Sequence, residues 1–134
     1  MLVRVIPILV TLALATPPAT AEQIPAELQE AIRLRDEAVS KKDTATWDRL
    51  TTTDFTTVLD DGRLQTKAER LAQLKGEKPE PLAPPAREQF ATYADTVVRR
   101  EQAQDGTWSL TVWVKQGQAW RAAAFQAGPV PQKK

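Results

Sequence analysis

The chain contains neither cysteine nor histidine. Without histidine there is no imidazole base, no Ser-His triad and no zinc site of the usual kind; without cysteine there is no thiolate nucleophile. No disulfide can constrain the unfolded chain either, so packing alone must hold the fold. The four tryptophans and three phenylalanines are its first material. Charge of one sign is also lacking. The 18 Lys+Arg stand against 17 Asp+Glu, which gives little electrostatic reason to bind nucleic acid or anionic lipid. The carboxylate pairs Asp36/Glu37 and Asp60/Asp61 have no further ligands at metal-binding spacing, so neither metal nor cofactor is expected.

Long hydrophobic runs are limited to Val5 to Ala15, which Pro7 interrupts. That run is too short for a hydrocarbon core needing roughly 20 residues. Preceded by Arg4 and followed by Ala19-Thr20-Ala21, it reads as a secretory signal peptide over residues 1–21, cleaved after Ala21. Of the 134 residues, removal of 21 leaves 113, one ordinary domain over 22–134. Losing Arg4 leaves 17 charges of each sign. The product is expected in the periplasm or secreted, without membrane association after cleavage.

Helical spacing of Leu28, Ala31, Ile32, Ala38 and Val39 predicts a first helix from Pro25 to Lys41. Arg35 falls in the middle of that apolar stripe. Asp43 caps a short second helix over Thr44 to Leu50, carrying Trp47. A β-branched strand over Thr52 to Leu59, a turn at Asp61-Gly62 and a short return over Arg63 to Gln65 follow. Thr66-Lys67-Ala68-Glu69 is a capping box that starts a third helix, which stops at Gly76. Pro79, Pro81, Pro84 and Pro85 make Gly76 to Ala86 a loop. Four strands complete the chain: Glu88 to Tyr93, Thr96 to Gln102, Thr107 to Lys115 and Ala119 to Ala127.

With Gln116-Gly117 as the last hairpin turn, Trp113 would stand opposite Trp120, and Trp108 opposite Phe125. One face then collects Trp108, Leu110, Val112, Val114, Ala119, Ala123 and Phe125, with Arg121 as its only charge, and is expected to be the core. The other sets Trp113 and Trp120 among Ser109, Thr111, Ala122, Ala124 and Gln126. Such a surface is expected to be covered, by a partner chain or by another part of this one.

Lys42-Asp43, Thr53-Asp54-Phe55, Asp61-Gly62, Thr66-Lys67-Ala68-Glu69, Asp95-Thr96-Val97-Val98, Val112-Trp113-Val114-Lys115 to Gly117, and Trp120-Arg121 together carry a resemblance. Over Leu28 to Gln126 the chain resembles the domain of unknown function 4440 group of the nuclear transport factor 2-like, or SnoaL-like, superfamily. The resemblance implies an α+β fold, a cone-shaped barrel of a strongly bent, mostly antiparallel sheet wrapped around N-terminal helices. It also implies a pocket and a homodimer through the outer sheet face. Relatives include isomerases, cyclases, dehydratases, binding modules and scaffolds, so activity does not follow from the fold. The proline-rich loop and the polar Arg99-Arg100-Glu101 depart from the family pattern.

Asp60 sits where Thr57-Val58-Leu59-Asp60 resembles the base-bearing segment of ketosteroid isomerases, though as a turn residue beside Asp61-Gly62 it needs no catalytic role. The family's helix-one tyrosine has no counterpart, since the single tyrosine is Tyr93. Arg35 could bind the carboxylate of a small, partly apolar ligand, pair with Glu69, Asp60 or a sheet carboxylate, or snorkel to the edge. Arg121 carries the same ambiguity. Trp47, Phe55, Trp108 and Phe125 could line the cavity or simply pack. Trp113 and Trp120 are assigned to the dimer face. The expected function is a non-catalytic or weakly catalytic small-molecule-binding or interaction domain, with an Asp60-based isomerase or dehydratase as the alternative.

Overall fold

The computed structural model describes residues 23–129 and 131–132; the signal-peptide expectation lies outside them. Pro25 opens α1 (Ala26–Lys41), its carbonyl accepting from the amides of Leu28 and Gln29. Asp43 caps α2 (Thr44–Arg49) by accepting from the Thr46 amide at 3.1 Å and the Thr46 hydroxyl at 2.7 Å. Strands β1 (Thr51–Val58) and β2 (Leu64–Thr66) form the first hairpin. The capping box then starts α3 (Lys67–Gly76): Thr66 accepts from the Glu69 amide while Glu69 accepts from the Thr66 amide. After the proline-rich loop come β3 (Arg87–Tyr93), β4 (Thr96–Gln102), β5 (Trp108–Gln116) and β6 (Ala119–Ala127).

The six strands form one curved, open sheet in the order β2-β1-β6-β5-β4-β3. Every pairing is antiparallel except β1 with β6. The α+β expectation holds, and every expected helix and strand is present within a residue or so of its expected ends. The sheet curls around α1 without closing. Its inner face buries Phe55, Phe90, Val97, Trp113, Trp120 and Ala122 against Leu28, Ala31, Ile32 and Ala38 of α1. Trp47 of α2 meets Phe55 edge-on, ring centres 5.1 Å apart, an arrangement that adds to simple burial.

The last hairpin differs from expectation. Its turn is Gly117-Gln118, with Gln116 opposite Ala119 and a positive φ of 63° at Gly117. Trp120 therefore faces Lys115 and Trp113 faces Ala122. A register shift between Val112 and Trp113 then leaves Ala123 as an extra residue, a β-bulge. It lets Trp120 and Ala122 point inward before it and Phe125 after it.

The face assignment must be corrected with the register. Trp113 is fully enclosed and Trp120 is 6% exposed, both inside this chain's own core, whereas Trp108 is 39% exposed. Trp113 and Trp120 are thus not available as a dimer face. Large rings set among Ala122 and Thr111 leave room for α1 to lie close against the sheet. The aliphatic Leu110, Val112 and Val114 occupy the outer face, half-buried.

Removing Trp113 from this packed interior should cost about 3–5 kcal/mol, and Trp108→Ala less than about 1 kcal/mol. Urea denaturation of the two variants checks the assignment; comparable losses would contradict it.

Candidate functional site

Between α1, α3, the proline-rich loop and the concave sheet lies a cavity of about 500 Å³. Trp47, Phe55, Val39, Leu59 and Phe125 give it apolar walls, and Arg35 lies at its floor. The proline-rich loop forms one side with Leu82, Ala83 and Pro85. That loop is held to the body by backbone groups. The Glu80 amide donates to the Ser40 carbonyl at 3.0 Å, the Ser40 hydroxyl donates to the Glu80 carbonyl, and the Ala86 amide donates to the Gln102 carbonyl at 2.7 Å.

Arg35 is 7% exposed. Its guanidinium carbon stands 5.9 Å from the ring centre of Phe55, 6.0 Å from that of Trp113 and 5.8 Å from that of Phe125. These are the outer limit of useful cation–π contact. No carboxylate lies within ion-pairing distance of it among the described residues, and its Nε is sealed from solvent without an acceptor. Burial pulls its pKa down to about 10, offset in part by Asp36; it remains a cation at neutral pH. The indole N–H groups of Trp47 and Trp113 are likewise buried without acceptors. These three buried, unpaired nitrogens are all donors.

The carboxylates that might have neutralised Arg35 are committed elsewhere. Glu69 closes the capping box, and Asp60 is exposed. The sheet carboxylate Glu101 joins Asp36 and Glu88 around Arg99, at 2.9, 2.9 and 2.7 Å respectively. Arg99 is 4% exposed. Burial lowers its pKa, but the three carboxylates outweigh burial and hold it above the ordinary value. Burial pushes the Glu101 carboxyl up, against the pull of Arg99. On the α3 side of the cavity, Glu77 is shared by Lys42 at 2.8 Å and Arg70 at 3.2 Å.

Of the residues expected at the site, Arg35, Trp47, Phe55 and Phe125 do line the cavity. Trp108 does not; it borders a depression of about 320 Å³ with Arg100, Leu110 and Gln126. Arg121 also lies elsewhere, donating from Nε to the Arg49 carbonyl at 3.3 Å and from Nη1 to Gln116 at 3.2 Å. Asp60 lines a neighbouring depression of about 400 Å³, which shares Leu59, Ser109 and Phe125 with the cavity. Among the described residues no cluster of acidic side chains could hold a metal ion. Sequence reasoning missed Asp36, Arg70, Gln73, Glu77 and Glu101 as cavity residues. The signal for Glu101 was there: Val97, Arg99 and Glu101 alternate along one face of β4, so charges follow valine onto the inner side.

The chain matches no family model, and no match is found among curated proteins. Solved structures do match. An NTF2-like protein from Cytophaga hutchinsonii superposes with a TM-score of 0.68 at 16% identity, covering 77% of this chain and 95% of that one. A provisionally assigned ketosteroid isomerase from Shewanella frigidimarina gives 0.63 at 11% identity, with 77% and 95% covered. The association domain of C. elegans CaMKII gives 0.62 at 17% identity, again with 77% and 95% covered. The chain therefore has the nuclear transport factor 2-like fold.

The Arg99 cluster yields two predictions. Arg99→Met strands three carboxylates and should cost about 3–5 kcal/mol in urea denaturation. Glu101 binds its proton more readily folded than unfolded, so its contribution is present below the ordinary glutamate range and is lost as pH rises through its raised pKa. Lowering the pH from 7 toward 4.5 should then favour the wild type over Glu101→Gln in paired denaturation curves. Parallel curves for the two would contradict that assignment.

Proposed function

We propose that this chain is an exported, non-catalytic small-molecule-binding domain of the domain of unknown function 4440 type, acting in the periplasm or outside the cell. The observation that carries the binding reading is Arg35, a buried cation with no carboxylate partner among the described residues, at the floor of a partly apolar cavity. An unpaired buried charge is expensive to keep. A ligand that supplies the missing acceptor, a carboxylate foremost, would recover that cost on binding. The cavity volume suits a molecule of modest size, and its walls suit a partly apolar one.

Self-association through the outer sheet face is part of the reading. Leu110, Val112 and Val114 give that face an aliphatic row, edged by Arg100, Gln126 and Arg121, and the structural neighbours include an association domain. An isomerase or dehydratase using Asp60 as base is the second reading. The support for it is that the depression beside Asp60 opens onto residues that also line the cavity. Asp60→Asn should abolish any turnover that reading requires.

The probe for the binding reading is 8-anilinonaphthalene-1-sulfonate, an apolar anion that fluoresces when sheltered from water. It should bind the purified protein and lose at least about tenfold in affinity in Arg35→Met, a loss of one charge-assisted contact. Equal fluorescence titrations for the two proteins would count against the cavity as the site.

A further inference from the structure

We infer that the ligand of this cavity is an amino acid or a close relative, a molecule carrying both a carboxylate and an ammonium group, with the carboxylate on Arg35 and the ammonium on Glu101. The inference rests on the cavity being a binding site and adds the chemical class of what binds there.

Two unmet capacities of opposite kind line the same space. Arg35, more than nine-tenths buried, holds an Nε–H that no acceptor among the described residues takes. Glu101 gives Oε1 to Arg99 at 2.9 Å, and its other oxygen carries no hydrogen bond among the described residues. A carboxylate oxygen beside an aromatic-walled space can accept from an ammonium as readily as from a guanidinium.

Charge counting separates an amino acid from a simple acid. Around the cavity, Arg35, Arg70, Arg99 and Lys42 stand against Asp36, Glu77, Glu88 and Glu101, four cations and four carboxylates. These charges balance. A simple carboxylic acid would add an uncompensated negative charge within a poorly solvated space, where an unbalanced charge costs more than in water. A simple amine would add an uncompensated positive charge and leave Arg35 unmet. A zwitterion adds no net charge and satisfies both groups. The raised pKa of Glu101 agrees with this, since a nearby ammonium would favour its ionised form. Val39, Leu59 and Phe125 then offer the amino acid's side chain an apolar seat.

Isothermal titration with two matched trios tests the inference: leucine, 4-methylpentanoate and 3-methylbutylamine; then phenylalanine, 3-phenylpropionate and 2-phenylethylamine. In at least one trio the amino acid should bind about tenfold or more tighter than the acid and the amine. Glu101→Gln should bring its affinity down to that of the acid while leaving the acid unweakened, and Arg35→Met should weaken both. An acid binding as tightly as its amino acid, or an amino acid unaffected by Glu101→Gln, overturns the inference. Failure of all six to bind overturns it too. The anilinonaphthalene sulfonate titration, run alongside, then decides the wider reading: Arg35-dependent dye binding leaves the cavity as a site for another class, and Arg35-independent binding removes both.

Discussion

Three carboxylates from three elements converge on Arg99: Asp36 from α1, Glu88 from β3 and Glu101 from β4. That convergence ties the helix to the far side of the sheet through a buried guanidinium and three partly buried carboxylates. It also decides the fate of Arg35, one residue before Asp36 on the same helix. Because Asp36 and Glu101 turn to Arg99, Arg35 is left with aromatic rings for neighbours and, among the described residues, no carboxylate within ion-pairing distance. A protein selected for stability alone would not need a cation there. Its presence at the floor of a cavity is what makes a binding role the economical account.

Packing sets the geometry in which that cation sits. The inner face alternates large and small: Trp113 opposite Ala122, with Thr111 and Ala122 giving room for α1 to approach. The bulge at Ala123 then turns Phe125 inward beside Arg35 instead of letting the strand present an alanine. One irregularity in one hairpin thus closes the aromatic surround. Across the cavity, the proline-rich loop supplies Leu82 and Pro85 to one side. Prolines limit what the unfolded loop can explore, so holding it in place costs less entropy than a glycine-rich loop of equal length would.

Much of this was legible in the sequence because the signals were local. Helical spacing, the Asp43 and Thr66 caps and the glycine-bearing turns are short-range features, and the elements followed them. Arg35 stood out for the same reason, a charge inside a helical stripe. What misled was long-range. Which face of β5 is the core depends on where α1 lies, and the row of Leu110, Val112 and Val114 is the more apolar of the two by composition. The tryptophans among small residues marked the true core face, since rings need gaps to fit against a helix. Glu101 was passed over because the strand that carries it reads as merely polar, although its alternation with Val97 and Arg99 puts it on the face that turns toward α1 and the cavity.

The central claim is that Arg35 serves a ligand and not the fold. The most direct test is the stability of Arg35→Met by urea denaturation with no ligand present. Methionine fills similar space, suits aromatic neighbours and needs no acceptor. The account predicts that the variant is as stable as the wild type or more stable by about 1 kcal/mol, since an unpaired buried charge has been removed. A loss of about 3 kcal/mol or more would show that Arg35 holds the structure together, and would contradict the account.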